Sequence, residues 1–194
     1  DSATNTWGLF GWSTDGTGAT IGYRQWGINT SENNSDYLGA FCDWGNNAIS
    51  NGGNVANTWH TLSKDEWGYL LNTSSRMINS KPCYSNFVGG VSIGGTTYKG
   101  IFLYPDNYNG VEVSDDSMTW DDINAAGIVF LPAAGHRYGS DVCDVGSYGR
   151  YWSSSPYEFL PNLAYELFFY DSSVNPKNCD VRSLGCSVRL VCGE

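Results

Sequence analysis

Residues 151–170, YWSSSPYEFLPNLAYELFFY, hold two short aromatic runs separated by a loop that contains two prolines. The runs at 151–155 and 164–170 predict β-strands, because aromatic residues favour extended backbone and turn residues bound each run. A further strand is predicted for SVRLV at 187–191. Alternation along the middle strand sends Glu166, Phe168 and Tyr170 to one face, and Tyr165, Leu167 and Phe169 to the other.

Two short helices are predicted upstream of these strands. LSKDEWGYLLNT at 62–73 begins with Ser63 and has Glu66 three residues later, which is the pattern of a capping box. MTWDDINAAG at 118–127 has Thr119 as its N-cap and Gly127 just beyond its C-terminus.

Gly pairs divide residues 85–104 into a predicted hairpin, and IVFLPAAG at 128–135 predicts a buried strand. Short helices among many short strands indicate an α+β domain with a high loop content. No change of composition marks a linker, so we expect a single domain over residues 1–194.

Composition limits the possible classes of function. Charged residues make up 15% of the chain and hydrophobic residues 41%. The polar surface must therefore consist largely of Asn, Ser, Thr, Gly and Tyr, as in loop-rich cell-surface proteins. A net charge of −10 without a basic stripe argues against nucleic-acid partners. No apolar run approaches a membrane span, so no membrane insertion is expected.

The cysteines give no indication of a metal site. Six are present, at positions 42, 83, 143, 179, 186 and 192, and none has a CxxC or histidine partner at zinc-ligand spacing. An even number permits disulfides in an oxidising compartment, and several free thiols with at most one bridge are equally compatible with the spacing. We expect no metal and no cofactor.

Catalytic motifs are weak. GVSIG at 90–94 matches the pattern of a nucleophile elbow around Ser92, but a strand rather than a helix is predicted to follow it. His60 and His136 belong to no catalytic motif, and we expect structural hydrogen bonds from both. DVCDVG at 141–146 lacks the spacing of an EF-hand calcium loop.

Several segments, in order along the chain, resemble a known group of proteins. They are LFGW (9–12), NNAISNGGN (46–54), WHTLSKDEWGYLL (59–71), GIVFLPAAGHRYG (127–139), GSYGRYWSSSP (146–156) and RSLGCSVRLVC (182–192). The chain resembles C-type-lectin-fold proteins of gut bacteria and their phages, including the major-paralogous-domain family and the variable proteins of diversity-generating retroelements. The resemblance implies a C-type-lectin-like fold with two helices, small antiparallel sheets and long loops. It also implies a ligand-display region at about 150–186.

In the retroelement group, adenine-directed miscopying converts Asn codons into many others, but not into those for Glu or Lys. This implies that Glu158, Glu166 and Lys177 are not diversified, and that residues such as Tyr151, Leu167 and Phe169 are framework. Phe168 and Tyr170 would point outward, beside a loop at 171–181. The implied ligand-binding residues are Arg150, Tyr157, Phe159, Leu160, Asn162, Phe168, Tyr170, Asp171, Asn178, Cys179, Asp180, Val181, Leu184 and Cys186.

The expected function is non-enzymatic binding by an adhesin or receptor-binding protein, whose partner is an unknown protein or glycan on another cell or host surface. The resemblance implies export to the cell surface, the extracellular space or a phage tail. One alternative is a carbohydrate-binding surface protein that uses aromatic platforms. A second is an enzyme similar to the formylglycine-generating enzymes, with Cys179 and Cys186 as its cysteine pair.

Overall fold

The computed structural model describes residues 12, 41, 43–46, 48, 53–72, 77–78, 81–85, 88–93, 95–110, 113, 119–139 and 141–192. This part of the chain is mixed α and β, consisting mostly of strands with two short helices and small antiparallel sheets, as predicted. The helices are α1 (Lys64–Leu70) and α2 (Trp120–Ala125). The strands are β1 (Trp59–Thr61), β2 (Met77–Ile78), β3 (Lys81–Pro82), β4 (Val88–Ile93), β5 (Thr96–Leu103), β6 (Val129–Pro132), β7 (His136–Tyr138), β8 (Asp141–Cys143), β9 (Gly149–Pro156), β10 (Leu163–Tyr170), β11 (Ser173–Val181) and β12 (Leu190–Cys192). The prediction of one domain over 1–194 extends to positions outside the described residues.

Both helices begin with capping boxes: the one at Ser63 and Glu66 is as predicted, and at α2 the predicted N-cap Thr119 forms a second one. The Ser63 hydroxyl accepts a hydrogen bond from the Glu66 amide, and the Glu66 carboxylate accepts one from the Ser63 amide. Thr119 and Asp122 repeat this exchange at α2, and Gly127, at φ 68°, follows its C-terminus. Both helices are shorter than the sequence predicts, since residues at each end of the predicted ranges form caps and turns. Neither described helix has the length or apolar character needed to cross a bilayer.

The strands β4, β5 and β6 form an antiparallel sheet with β5 in the centre. The predicted hairpin is confirmed: Gly95, at φ 82°, lies in the turn between β4 and β5. Ser92 therefore lies within a strand, opposite Thr97, which rules out the strand–turn–helix geometry of a nucleophile elbow. The strand predicted for 128–135 ends at Pro132, because Gly135 has φ 70° and turns the chain toward β7.

A second three-stranded sheet has the order β11-β10-β9. The predicted loop at 171–181 is wrong: most of this segment is the outer strand β11, which pairs along β10. Asn175 and Pro176 are turn formers in isolation. An outer strand tolerates the missing proline N–H, because only one of its sides must complete a hydrogen-bonded ladder.

The C-terminal strand begins later than predicted. Residues 187–191 were expected to form it, but β12 covers Leu190–Cys192 and pairs with β1, close to the start of α1. The segment before it makes isolated bridges, from Gly185 to Arg137 in β7 and from Ser187 to Tyr151 in β9. Ser187 exchanges backbone hydrogen bonds with Arg150 and Trp152, so this segment runs beside β9.

Three hydrophobic clusters hold these elements together. The first joins α1 to β5, β6, β9 and β10, and includes Trp67, Ile101 and Phe169. The second lies under α2, and the third joins Trp12 to Trp152, Ala164, Leu184 and Cys186. Trp12, the one described residue of the LFGW segment, donates its indole N–H to the Ser153 carbonyl at 2.8 Å.

Candidate functional site

One face of the β11-β10-β9 sheet is closed by α1. Tyr151, Leu167 and Phe169 are buried on this face in the first cluster, which confirms that Leu167 and Phe169 are core residues. Gly149 lies opposite Phe169, and any side chain at that position would overlap the Phe169 ring. This face of the sheet is therefore scaffold.

The other face of the same sheet carries a buried carboxylate. Glu166 is fully buried in the middle of β10, although its place in the alternation puts it beside the outward-facing Phe168. Its Oε1 accepts hydrogen bonds from Arg150 Nη1 at 2.7 Å and from Asn178 Nδ2 at 2.8 Å. Its Oε2 lies 3.4 Å from the Cys186 sulfur, which donates to it. Three donors from three segments thus converge on one carboxylate.

Arg150 connects this carboxylate to the surface. The same Nη1 that contacts Glu166 also donates to Asp180 Oδ2 at 2.6 Å. The guanidinium carbon lies 4.7 Å from the centre of the Phe168 ring, which is a cation–π distance. The position of the Phe168 ring is therefore linked to a buried ion pair.

Three aromatic rings complete this surface. The Tyr148 ring contacts Phe168 edge to face at 5.4 Å and Tyr170 at 5.9 Å, and the rings of Phe168 and Tyr170 are 5.6 Å apart. We call the resulting surface the Arg150 face. It consists of six half-buried residues: Tyr148, Arg150, Phe168, Tyr170, Asn178 and Asp180.

The electrostatics of the Arg150 face follow from burial. Desolvation raises the pKa of Glu166 to about 7, against the opposing effects of Arg150 and of the Asn178 hydrogen bond. Burial, together with the Glu166 charge, raises the pKa of the Cys186 thiol well above its ordinary value. Burial and the charge of Arg150 lower the pKa of His136, whose Nδ1 lies 3.4 Å from Asp144. This atom makes no hydrogen bond within the described residues, so the structural hydrogen bond expected of His136 is not found at Nδ1.

Five of the predicted ligand-binding residues come together on the Arg150 face: Arg150, Phe168, Tyr170, Asn178 and Asp180. Asp171 is exposed in the turn directly after Tyr170, between β10 and β11, and therefore lies at the edge of this face.

The predicted residues of the 157–162 loop form a separate surface, which we call the Phe159 tip and define as residues 157–160. Phe159 is 79% exposed and Leu160 is 51% exposed. The Tyr157 ring contacts the rings of Phe159 and Tyr165, and Glu158 accepts hydrogen bonds from Tyr165 and from Lys64 of α1. The contact between Glu158 and Lys64 thus attaches this loop to α1.

The two surfaces lie at opposite ends of β10, since the loop containing the Phe159 tip precedes the strand and Tyr170 ends it. Eight residues at about 3.3 Å each separate them by roughly 25 Å. Asn162 lies in the turn just before this strand, where its carbonyl accepts a hydrogen bond from the Arg182 amide at 2.9 Å. The exposed and half-buried residues of the ligand-display region implied for about 150–186 therefore divide into two surfaces, the Arg150 face and the Phe159 tip.

Leu184 and Cys186 are also wrongly predicted as displayed residues. Leu184 is 5% exposed and Cys186 is fully buried, both in the third hydrophobic cluster. Their segment is held against the sheet by reciprocal backbone hydrogen bonds between Arg137 and Gly185, which turn both side chains inward. Val181 packs partly buried against the same cluster.

Cys179 belongs to neither surface. It pairs with Tyr165 across the β10–β11 ladder, whereas Asp180 pairs with Ala164. Successive strand residues face opposite sides, so Cys179 points to the side of the sheet that carries α1. Cys143, Cys179 and Cys186 are free thiols.

Tyr148 was missed by the sequence reasoning, because it precedes β9 in a turn, and only the fold brings it against Phe168 and Tyr170. In the described part of the chain, no group of three or more His, Cys, Asp or Glu side chains could hold a metal ion. His60 lies 3.4 Å from Glu66 of the α1 capping box, a structural contact of the kind expected. Comparison with protein families, curated proteins and solved structures yields no match to this chain.

Proposed function

We propose that this chain is a non-enzymatic ligand-binding protein, an adhesin or receptor-binding protein of the cell surface or extracellular space, built on a C-type-lectin-like scaffold. The observation that carries the proposal is the Arg150 face: six half-buried side chains, rich in Tyr, Phe and Arg, on a sheet whose opposite face is closed core. Tyr and Arg are the residues most enriched at binding hot spots. The ring contacts and the shared Arg150 ion pair hold these side chains in place before any ligand arrives.

The fixed residues of this region support a diversifiable surface. Glu158, Glu166 and Lys177 are the three positions that the retroelement resemblance excludes from variation. Each contacts the scaffold: Glu158 bonds to Lys64 of α1, Lys177 bonds to Asp65 of α1 at 2.9 Å, and Glu166 is buried in the sheet. Variable positions placed around these three residues would change the surface and leave their contacts in place. This arrangement is the basis for proposing membership of the retroelement variable proteins.

The alternative based on cysteine chemistry has less support. A reactive cysteine needs a lowered pKa and access to solvent. Cys186 has the opposite properties, since burial and Glu166 raise its pKa and no part of it is exposed. Burial and the charge of Asp180, the next residue in β11, also raise the pKa of Cys179. The side chains of these two residues face opposite sides of the sheet.

The test is binding of fluorescently labelled protein to a glycan array and to intact bacterial and epithelial cells, with and without protease treatment of the cells. The informative variant is Phe168→Ala/Tyr170→Ala. The matched control is Tyr69→Ala, which removes a 58% exposed ring from α1.

We expect protease-sensitive binding that falls by roughly thirtyfold in the double variant, the loss typical of a hot-spot truncation of about 2 kcal/mol, and that is unchanged in the control. Equal binding by the double variant and the wild type would contradict the proposal that the Arg150 face binds the ligand. Protease-resistant binding matched by specific array signals would favour the carbohydrate-binding alternative, with the aromatic rings as platforms.

A further inference from the structure

The buried carboxylate of Glu166 contributes no atom to the exposed surface, yet it contacts the residues that shape it. It lies on the same face of β10 as Phe168 and Tyr170, and its nearest cation, Arg150, is the residue that contacts the Phe168 ring. A fully apolar residue would fill this position at lower desolvation cost. The presence of a titratable group here therefore calls for a physical role.

The backbone around Glu166 is irregular on both sides. The pairing of β10 with β9 shifts register between Ala164 and Glu166, and the pairing of β10 with β11 shifts register between Glu166 and Phe168. Such irregularities re-aim side chains and are common beside functional sites. They bring Arg150, Asn178 and Asp180 of the two flanking strands around one carboxylate.

The guanidinium of Arg150 is held in a way that permits it to pivot. Nη1 alone donates to both Glu166 and Asp180, while Nε has no hydrogen-bond partner within the described residues. Glu166 is fully buried, whereas the Asp180 side chain is 30% exposed. Because Nη1 carries two hydrogens, the two carboxylates share this nitrogen, Glu166 from the interior and Asp180 from the surface.

We propose that Glu166 is a proton-responsive positioning residue for the Arg150 face. When ionised, it draws the guanidinium inward against the Phe168 ring. When protonated, it weakens its hold, and the guanidinium is then held mainly by Asp180 at the surface, which changes the shape and charge of the surface around Phe168. This deepens the proposed function, on which it rests, by making the geometry of the binding surface depend on pH.

The groups around Glu166 in the described part of the chain define the electrostatics of this switch. Arg150 faces it from β9, Asn178 and Asp180 from β11, and Cys186 from the segment that runs beside β9. The charge of Glu166 raises the pKa of Cys179 in β11. In β7, the pKa of His136 is lowered by the charge of Arg150 and raised by that of Asp180. Burial, the dominant effect, raises the pKa of Glu166 to about 7, so its charge changes near neutral pH.

The experiment is an NMR titration of the ligand-free protein between pH 5 and 9. Three signals are followed: the side-chain carboxyl carbon of Glu166, the Nε–Hε group of Arg150 and the ring protons of Phe168. We expect all three to move with one common midpoint near neutrality. In Glu166→Gln, which keeps the size of the side chain and one acceptor, the movement of Arg150 and Phe168 with that midpoint should disappear.

Two further variants separate Glu166 from its neighbours. His136→Asn removes the nearby imidazole and should leave the common midpoint in place. Asp180→Asn removes a charge that raises the pKa of Glu166, and should therefore lower the midpoint of the carboxyl signal. If Glu166→Gln does not fold, the wild-type titration and the Asp180→Asn variant still test the proposal.

The proposal is overturned if Glu166 does not titrate in this range. It is also overturned if Glu166 titrates while Arg150 and Phe168 stay still, or if their movement disappears with His136. Because no ligand is present, such a result would leave the binding function untouched. Conversely, a failure of the cell and glycan assays would leave the titration result standing.

Discussion

The two faces of the β11-β10-β9 sheet are made by alternate residues of the same strands and have opposite characters. On the α1 face, Leu167 and Phe169 lie in an apolar core. On the Arg150 face, Glu166 is as deeply buried as they are but is surrounded by donors. Apolar packing has no preferred direction, so it fixes the sheet without specifying a surface. A buried ion pair has strict geometry, and it can hold particular side chains in particular places.

The largest expected difference between the faces is in stability. Phe169→Ala should lower the free energy of unfolding by about 3–5 kcal/mol, because it leaves a cavity in a core that also contains Tyr151 and Trp67. Phe168→Ala, one residue earlier, should cost about 1 kcal/mol, because its ring is half-buried and already meets solvent. Urea unfolding of the two variants checks this contrast. Similar losses would show that the Arg150 face is core as well.

The second prediction concerns the ion pair. Arg150→Ala should cost about 3 kcal/mol at pH 8, because it leaves the Glu166 carboxylate buried without its cation. The cost should shrink at pH 5, where Glu166 is protonated and needs no cation. Adding Glu166→Gln to Arg150→Ala should recover most of the stability at pH 8. Urea unfolding at both pH values measures the coupling, and additive losses at pH 8 would contradict it.

The third prediction is the pH dependence of stability that Glu166 produces. Its pKa is raised in the folded protein, so the folded state holds this proton more strongly than the unfolded state does. The contribution of this group is fully present below its ordinary pKa and is lost as the pH rises to about 7. Relative to Glu166→Gln, the wild type should therefore lose stability across this interval and change little above it. A wild type that instead gains stability relative to Glu166→Gln as the pH rises across this interval would contradict the assignment.

The smallest effect is expected at the exposed pair that joins α1 to β11. The Lys177 and Asp65 side chains are 52% and 75% exposed, so solvent screens their attraction. Lys177→Ala should leave the urea midpoint within experimental error at physiological salt. A clear loss of stability would show that this contact adds to the apolar core in holding the helix on the sheet.

Local signals were enough to predict the helices and the hairpin. Ser63 with Glu66, and Thr119 with Asp122, form their capping boxes within three residues, and Gly95 supplies the positive φ that the β4–β5 turn needs. Strand alternation also predicted that Leu167 and Phe169 face the opposite side of the sheet from Phe168, since a strand has a period of two residues.

The features that sequence could not supply depend on distant partners. β11 contains Asn175 and Pro176, which favour turns, and it is a strand because β10 offers a ladder to pair with. The burial of Leu184 and Cys186 depends on the bridge between Gly185 and Arg137, almost fifty residues earlier in the chain. In the same way, nothing local to Glu166 indicates that Arg150, Asn178 and Cys186 will surround it.

The outer position of β11 has a consequence for how copies of this protein behave when they are crowded together. A strand that borders a sheet is a template for the edge of a neighbouring molecule, and such contacts lead to aggregates. Pro176 deprives this border of one N–H donor, and Lys177 adds an exposed positive charge next to it. Copies of this protein at high concentration should therefore stay separate, and the aromatic surface of each would remain accessible.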